Sequence, residues 1–146
     1  MPFKQISVKD AHDILEKNSD SIYIDVRTVR EFTAGHPQGA VNIPVAFPNT
    51  GRGMMLNEEF VRVVEGHFPK DKKIIVGCQV GPRADAAARL LEEAGYNDVS
   101  SVQGGFGGIR SPSGEVIAEG WAGLGYPVSQ DNGAGISYDS LAAKVR

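Results

Sequence analysis

The sequence predicts an α/β fold with a central, mostly parallel sheet flanked by helices. Three observations carry that expectation. The run Lys73 to Gly77 holds Ile74-Ile75-Val76 without a polar interruption, the pattern of a strand covered on both faces in a parallel sheet. The stretch Arg83 to Ala94 follows at once and sets Ala84, Ala87, Ala88 and Leu91 on one helical stripe. Strand-like and helix-like runs then alternate along most of the chain, which favours crossover units over hairpins.

Taken in order, Ser7 reads as an N-cap with Asp10 as a weak capping-box partner, and Val8, Ala11, Ile14 and Leu15 place a helix over 8–17. Ser21 to Asp25 is a short β-rich run. Thr28 to Ala34 reads as one or two helical turns ended by Gly35. Val41-Asn42-Ile43 is a strand closed by Pro44. The turn-rich FPNTGRG, residues 47–53, reads as an exposed loop, and with Met54 and Met55 as a docking edge or a disordered segment. Asn57 is expected to cap a helix holding Phe60, Val61, Val63 and Val64, stopped by Pro69. The helix over 83–94 is expected to carry an Arg89–Glu93 pair and to end at Gly95. Asp98 to Val102 is a further strand. Beyond 103 the chain turns rich in glycine and serine, Trp121 is placed to pack back on the body, 129–135 reads as a polar linker, and Tyr138 to Val145 as a last amphipathic turn or two. These divisions give one domain over 1–128 and a linker with a short tail over 129–146.

The 146 residues suffice for one domain with a single core. They are 41% hydrophobic and 23% charged, with a net charge of −3 and no basic block, so no nucleic-acid surface is expected. No apolar run reaches a membrane span, and the N-terminal MPFKQISVKDAHDI lacks the apolar core of a signal peptide. One cysteine forms no internal disulfide. A reducing, cytoplasmic setting is the expectation, with no membrane partner, and the size is compatible with a monomer.

That cysteine stands in GCQVGPR, residues 77–83, between the buried strand and the helix. A lone cysteine is most often a small buried hydrophobe. Here it lies just past the carboxyl end of a sheet strand, where α/β folds bind ligands. The following helix aims its N-terminus at the loop, and its free N–H groups and partial positive charge favour a thiolate. Gly81 is expected to take a positive φ, Pro82 presets the first helical turn, and Arg83 adds a cation. The N–H groups of Gln79, Val80, Gly81, Arg83 and Ala84 are placed to face an anion.

These residues resemble the rhodanese (sulfurtransferase) family. Asp25-Val26-Arg27, Glu31-Phe32, Gly35-His36, Gly39-Ala40 and Asn42-Ile43-Pro44 look like its first signature, and Cys78-x-x-Gly81-x-Arg83 like its active-site loop. Val102-x-Gly104-Gly105 looks like the segment before its closing helix. Order and spacing hold over about 5–128. The resemblance implies a rhodanese-like fold and a sulfurtransferase of the thiosulfate sulfurtransferase type. The cysteine takes the outer sulfur of a small anionic donor such as thiosulfate and passes it, as a persulfide, to cyanide, a cellular thiol or a protein acceptor. It makes Cys78 the sulfur carrier, gives the loop amides from Gln79 to Ala84 the persulfide's charge to hold, and makes Asp25 and Arg27 supports of the active-site region. No cofactor is implied, and with no second cysteine the acceptor must be external. Three departures stand out: Ala84 replaces a hydroxyl residue, Pro37 replaces isoleucine after Gly35-His36, and Ile109 stands near the place of a tryptophan.

Elsewhere, Arg27 has two candidate partners, the active-site region or Glu31 at i,i+4. His12, His36 and His67 show no metal-ligand spacing; His36 reads as structural and the other two as surface residues. GGFGG at 104–108 fails as a nucleotide loop because the third glycine of the motif falls on Arg110. Two other functions compete. A phosphatase or arsenate reductase of the related cell-cycle phosphatase type would carry one residue more between cysteine and arginine, where this chain has four. A non-catalytic rhodanese-like binding module commonly lacks the cysteine.

Overall fold

Five strands form the central sheet, and each of its pairings is parallel. The computed structural model describes residues 3–48 and 53–146. In chain order the elements are β1 (Lys4–Ser7), α1 (Val8–Lys17), β2 (Ser21–Asp25), α2 (Val29–Ala34), β3 (His36–Pro37), β4 (Val41–Asn42), β5 (Ala46–Pro48) and β6 (Met54–Leu56). There follow α3 (Phe60–His67), β7 (Lys73–Gly77), α4 (Pro82–Glu93), β8 (Val99–Gln103), β9 (Ile109–Arg110), β10 (Val116–Ala118), β11 (Val128–Ser129) and α5 (Tyr138–Ala143). The sheet order is β1-β8-β7-β2-β4, which sets β2 and β7 side by side with Asp25 opposite Gly77 and, on the other side, Asn42.

Side-chain alternation divides the core between the two faces of the sheet. Ile24, Ile74 and Val76 pack with Phe60, Val63 and Val64 of α3 and with Ala84, Ala87, Ala88 and Leu91 of α4. Tyr23 and Ile75 point the other way, to Val8 and Ala11 of α1, Phe32 of α2 and Trp121. Lys73–Gly77 is buried from Ile74 onward, as a strand covered on both faces must be. The helix stripe of 83–94 is likewise buried in full.

Several local expectations are corrected. β1 has no sequence signal: KQIS is largely exposed on the sheet edge, and only Ile6 among its residues is apolar. Ser7 caps α1 by accepting from the Asp10 N–H at 3.0 Å. Phe47 and Pro48 are not loop but half of a hairpin with β6, and 49–52 lie outside the described residues. Asn57 caps the turn that opens α3: its Oδ1 accepts from the Glu59 N–H at 3.0 Å and its carbonyl from the Phe60 N–H at 3.0 Å, while Glu59, next to the helix, makes no side-chain cap. Asn57 is also a buried junction, donating from Nδ2 to Pro44 O at 2.8 Å and to the Tyr138 hydroxyl at 3.1 Å. Arg89 lies over the Phe3 ring, 5.9 Å from its centroid, rather than on Glu93. Directly after Gly105 no helix stands; the β9–β10 hairpin and a turn around Trp121 come first, and the next helix is α5. Trp121 packs back as expected, buried and donating from Nε1 to Pro127 O at 2.7 Å.

The segment 129–146 is part of the packed body. β11 pairs with β3, the Asn42 N–H donates to Ile136 O at 2.9 Å, and Tyr138, Leu141 and Ala142 sit in the core beside α3. His67 bonds Leu141 O at 2.7 Å, and His12 stacks on Tyr126 at 3.9 Å, so both histidines are half-buried and engaged rather than free surface groups. His36 is buried, bonded to Phe32 O at 2.8 Å and stacked on the Phe32 ring.

Candidate active site

Cys78 is the first residue past β7, and α4 starts at Pro82, so the loop between them crosses the carboxyl end of the sheet. The sulfur is buried, with the residue only 1% exposed. The Ala84 N–H, in the first turn of α4, points at Sγ from 3.4 Å. That bond belongs to the helix N-terminus, where N–H groups lack intrahelical partners and carry the positive end of the dipole.

Three of the loop's four carbonyls are held by one segment, and the fourth, that of Gly81, accepts from the Asp85 N–H of α4 at 3.0 Å. Those of Cys78, Gln79 and Val80 accept from the N–H groups of Phe106 at 2.8 Å, Gly107 at 2.9 Å and Gly104 at 2.8 Å. A trans peptide sets its N–H opposite the preceding C=O. The amides of Gln79, Val80 and Gly81 are therefore turned away from the glycine segment, and with that of Arg83 they have no partner among the described residues. GGFGG is thus a clamp on the loop, a role the sequence did not disclose. Gly105 shows why it is glycine: φ is 54°, and a Cβ there would run into the Cys78 carbonyl. Gly81 differs from expectation. Its φ of 172° is extended backbone, outside the left-handed region that favours glycine.

Asp25 and Arg27 leave the end of β2 beside the loop, both almost wholly buried. Arg27 donates from Nε to Asp25 Oδ1 at 3.0 Å and from Nη2 to Oδ2 at 2.8 Å. Its remaining donors reach Gly35 O at 2.6 Å and Gln79 Oε1 at 3.1 Å, and the Phe106 ring covers its guanidinium at 4.4 Å. Of its two candidate partners Arg27 takes the active-site region, not Glu31. Burial pushes the Asp25 carboxyl up, against the pull of Arg27. Burial also pushes the Tyr23 hydroxyl well up, with Asp25 adding to it.

Glu31 serves Arg83 instead, accepting from Nη1 at 2.7 Å and Nη2 at 3.0 Å, a forked pair. It also completes the capping box of α2 with Thr28. Burial alone would raise its carboxyl; the Arg83 hydrogen bonds and the Thr28 amide outweigh this and hold it at about 2. Arg83 is raised in turn, chiefly by its bonds to Glu31. A pocket of about 370 Å³, lined by Arg27, Glu31, Ala34, Gly35, Gln79 and Phe106, opens over this arrangement. The loop thus unites Cys78, Gln79, Gly81, Arg83 and Ala84, and Gln79 ties it to the Asp25–Arg27 pair. The Val80 side chain is exposed. Among the described residues no cluster of His, Cys, Asp and Glu has the makings of a metal site, and no helix is long and apolar enough to cross a membrane.

Comparison with known proteins places the chain in a family. Thiosulfate sulfurtransferase 16, chloroplastic, of Arabidopsis thaliana is 42% identical over 102 residues, 69% of this chain and 82% of its own length. Senescence-associated protein DIN1 of Raphanus sativus is 42% identical over 84 residues, 58% of this chain but 45% of its own, so the chain spans less than half of that relative. The crystal structure of Rv0390 from M. tuberculosis matches with a TM-score of 0.72 at 25% identity, over 90% of this chain and all of that one. The family model of the rhodanese-like domain matches residues 7–111, and this chain belongs to the rhodanese-like domain family.

Proposed function

We propose that this protein is a sulfurtransferase that carries a sulfane sulfur as a persulfide on Cys78. The observation that carries the reading is the Ala84 N–H aimed at Sγ from 3.4 Å, within a loop whose other amides are free. The relative named thiosulfate sulfurtransferase supports it. The Cys78 thiolate attacks the outer sulfur of thiosulfate, the S–S bond breaks, and sulfite leaves with the electron pair. The persulfide's terminal anion then lies among the N–H groups of Gln79 to Ala84, fixed donors that need no reorganisation as charge arrives. An external nucleophile, cyanide or a thiol, takes the terminal sulfur and returns the thiolate. Two half-reactions through one covalent intermediate give ping-pong kinetics. The setting that suits this chemistry is a reducing one such as the cytoplasm.

The test is the intact mass of the protein before and after thiosulfate, and again after cyanide, alongside Cys78→Ser. Gain of one sulfur that cyanide removes, absent from the variant, is the expected result. No gain from any donor, together with turnover of a phosphate ester, would transfer the site to the phosphatase class. Full cellular function in Cys78→Ala would make the protein a binding module.

A further inference from the structure

The Gln79 side chain is held from two sides. Its Oε1 accepts from Arg27 Nη1 at 3.1 Å. A guanidinium can only donate, so the carboxamide has one orientation, with Oε1 on Arg27 and Nε2 turned away from it. Arg27 is itself fixed: it is 2% exposed, forked onto Asp25, bonded to Gly35 O and covered by the Phe106 ring. On the other side Gly107 makes room, since a Cβ there would run into Gln79 Nε2. The two N–H groups of Nε2 have no acceptor among the described residues, and Gln79 lines the pocket together with Arg27, Gly35 and Phe106. A half-buried amide so held offers two donors to an acceptor atom in the pocket.

Resting on the sulfurtransferase reading above, we infer that the Gln79 carboxamide is the specificity contact for the donor's leaving group. Held by Arg27, it donates from Nε2 to an oxygen of a departing sulfite or sulfinate, and so selects thiosulfate and thiosulfonates over oxygen-free sulfur chains. The Cys78 thiolate attacks the outer sulfur, the S–S bond breaks, and the leaving group takes the electron pair. Its oxygens gain charge as it goes, and a hydrogen bond to a charged acceptor is the stronger kind. A polysulfide reacts in the same way, releasing a sulfur chain one atom shorter, but its leaving group is sulfur throughout and a weak acceptor. Neither step needs an oxidant or reductant.

Gln79→Met is the first variant, because it keeps the length and bulk of the side chain and removes its donors. The measurement is the second-order rate of sulfur loading on Cys78, read by intact mass, with thiosulfate and with inorganic tetrasulfide. Both are dianions, so the cations Arg30 of α2 and Arg83 of α4 attract them alike. Loading from thiosulfate is expected to fall about tenfold, the effect of one hydrogen bond to a charged group, with the tetrasulfide rate held within about twofold. Gly107→Ala is the second variant. It leaves Gln79 in the chain but takes the space of its Nε2, and should lower the thiosulfate rate about threefold or more with the tetrasulfide rate again within about twofold. It decides the matter should Gln79→Met not fold. Equal changes with both donors, or none, in a variant that melts like the wild type would overturn the inference. No loading of the wild type from either donor would instead overturn the sulfurtransferase reading itself.

Discussion

The Phe106 N–H donates to the Cys78 carbonyl at 2.8 Å, so a residue of the glycine-rich segment holds the backbone of the cysteine. This bond and its two neighbours fix which way the loop's peptides face, and so turn the Gln79, Val80 and Gly81 amides away from the glycine segment. The candidate site therefore takes in the glycine segment besides the loop and the Asp25–Arg27 pair that the resemblance named.

Gly105→Ala tests the clamp. Its φ of 54° and the closeness of the Cys78 carbonyl leave no room for a Cβ. The loop must shift, and a strained residue of this kind costs about 1–3 kcal/mol. The expected outcome is a lower melting temperature and sulfur loading on Cys78 reduced by more than about tenfold. Unchanged loading in the folded variant would mean that the glycine segment does not position the loop.

Asp25→Asn tests the buried pair. It leaves the Arg27 guanidinium charged, 2% exposed, and without a counter-ion. Removing one partner of a buried ion pair costs about 3–5 kcal/mol, and the bonds to Gly35 O and Gln79 Oε1 place the expectation at the lower end. Urea unfolding reads the loss as a shift in midpoint at constant slope. A loss below about 1 kcal/mol would show that Asp25 does not hold Arg27 in place.

The central elements were legible because each makes its own local signal. The Ile74-Ile75-Val76 run and the Ala84, Ala87, Ala88 and Leu91 stripe are long enough to show their period, and they set the Cys78 loop at the sheet's carboxyl end. β1 was not legible, since a polar edge strand is held by backbone bonds to β8 rather than by an apolar face. The Glu31–Arg83 bridge spans 52 positions in the chain, so spacing offered only nearer partners. The glycine clamp was hidden for another reason. GGFGG shows that backbone freedom is needed, but not that the freedom is used to approach the Cys78 carbonyl.

Acid titration isolates the Glu31–Arg83 bridge. The Glu31 carboxyl is held at about 2, below its ordinary 4.5. A folded-state value below the unfolded one means that the unfolded chain binds the proton first. The bridge thus adds stability fully above about pH 4.5 and loses it as pH falls toward about 2. Glu31→Gln cannot titrate there. The gap in stability between wild type and variant should be constant near neutrality and close through this acid window, measured by urea unfolding at a series of pH values. A gap independent of pH would mean that the variant's loss arises from the cap of α2 rather than from the charge.

Leu141→Ala tests how far the C-terminal segment belongs to the domain. Leu141 is 4% exposed and packs in the same core cluster as Val63 and Val64, while its carbonyl receives the His67 ring. The side chain is removed but the carbonyl stays, so the substitution probes packing alone. A buried leucine cut to alanine costs about 2–5 kcal/mol, the larger part where the site cannot collapse. α3 is tied to the sheet by its own buried residues, so the hole should persist and the cost should lie in that range. Thermal unfolding should remain a single transition at a lower temperature, because the segment and the sheet share one core. A loss within about 0.5 kcal/mol, or a separate early transition for the tail, would show 129–146 to be an appendage that the body does not need.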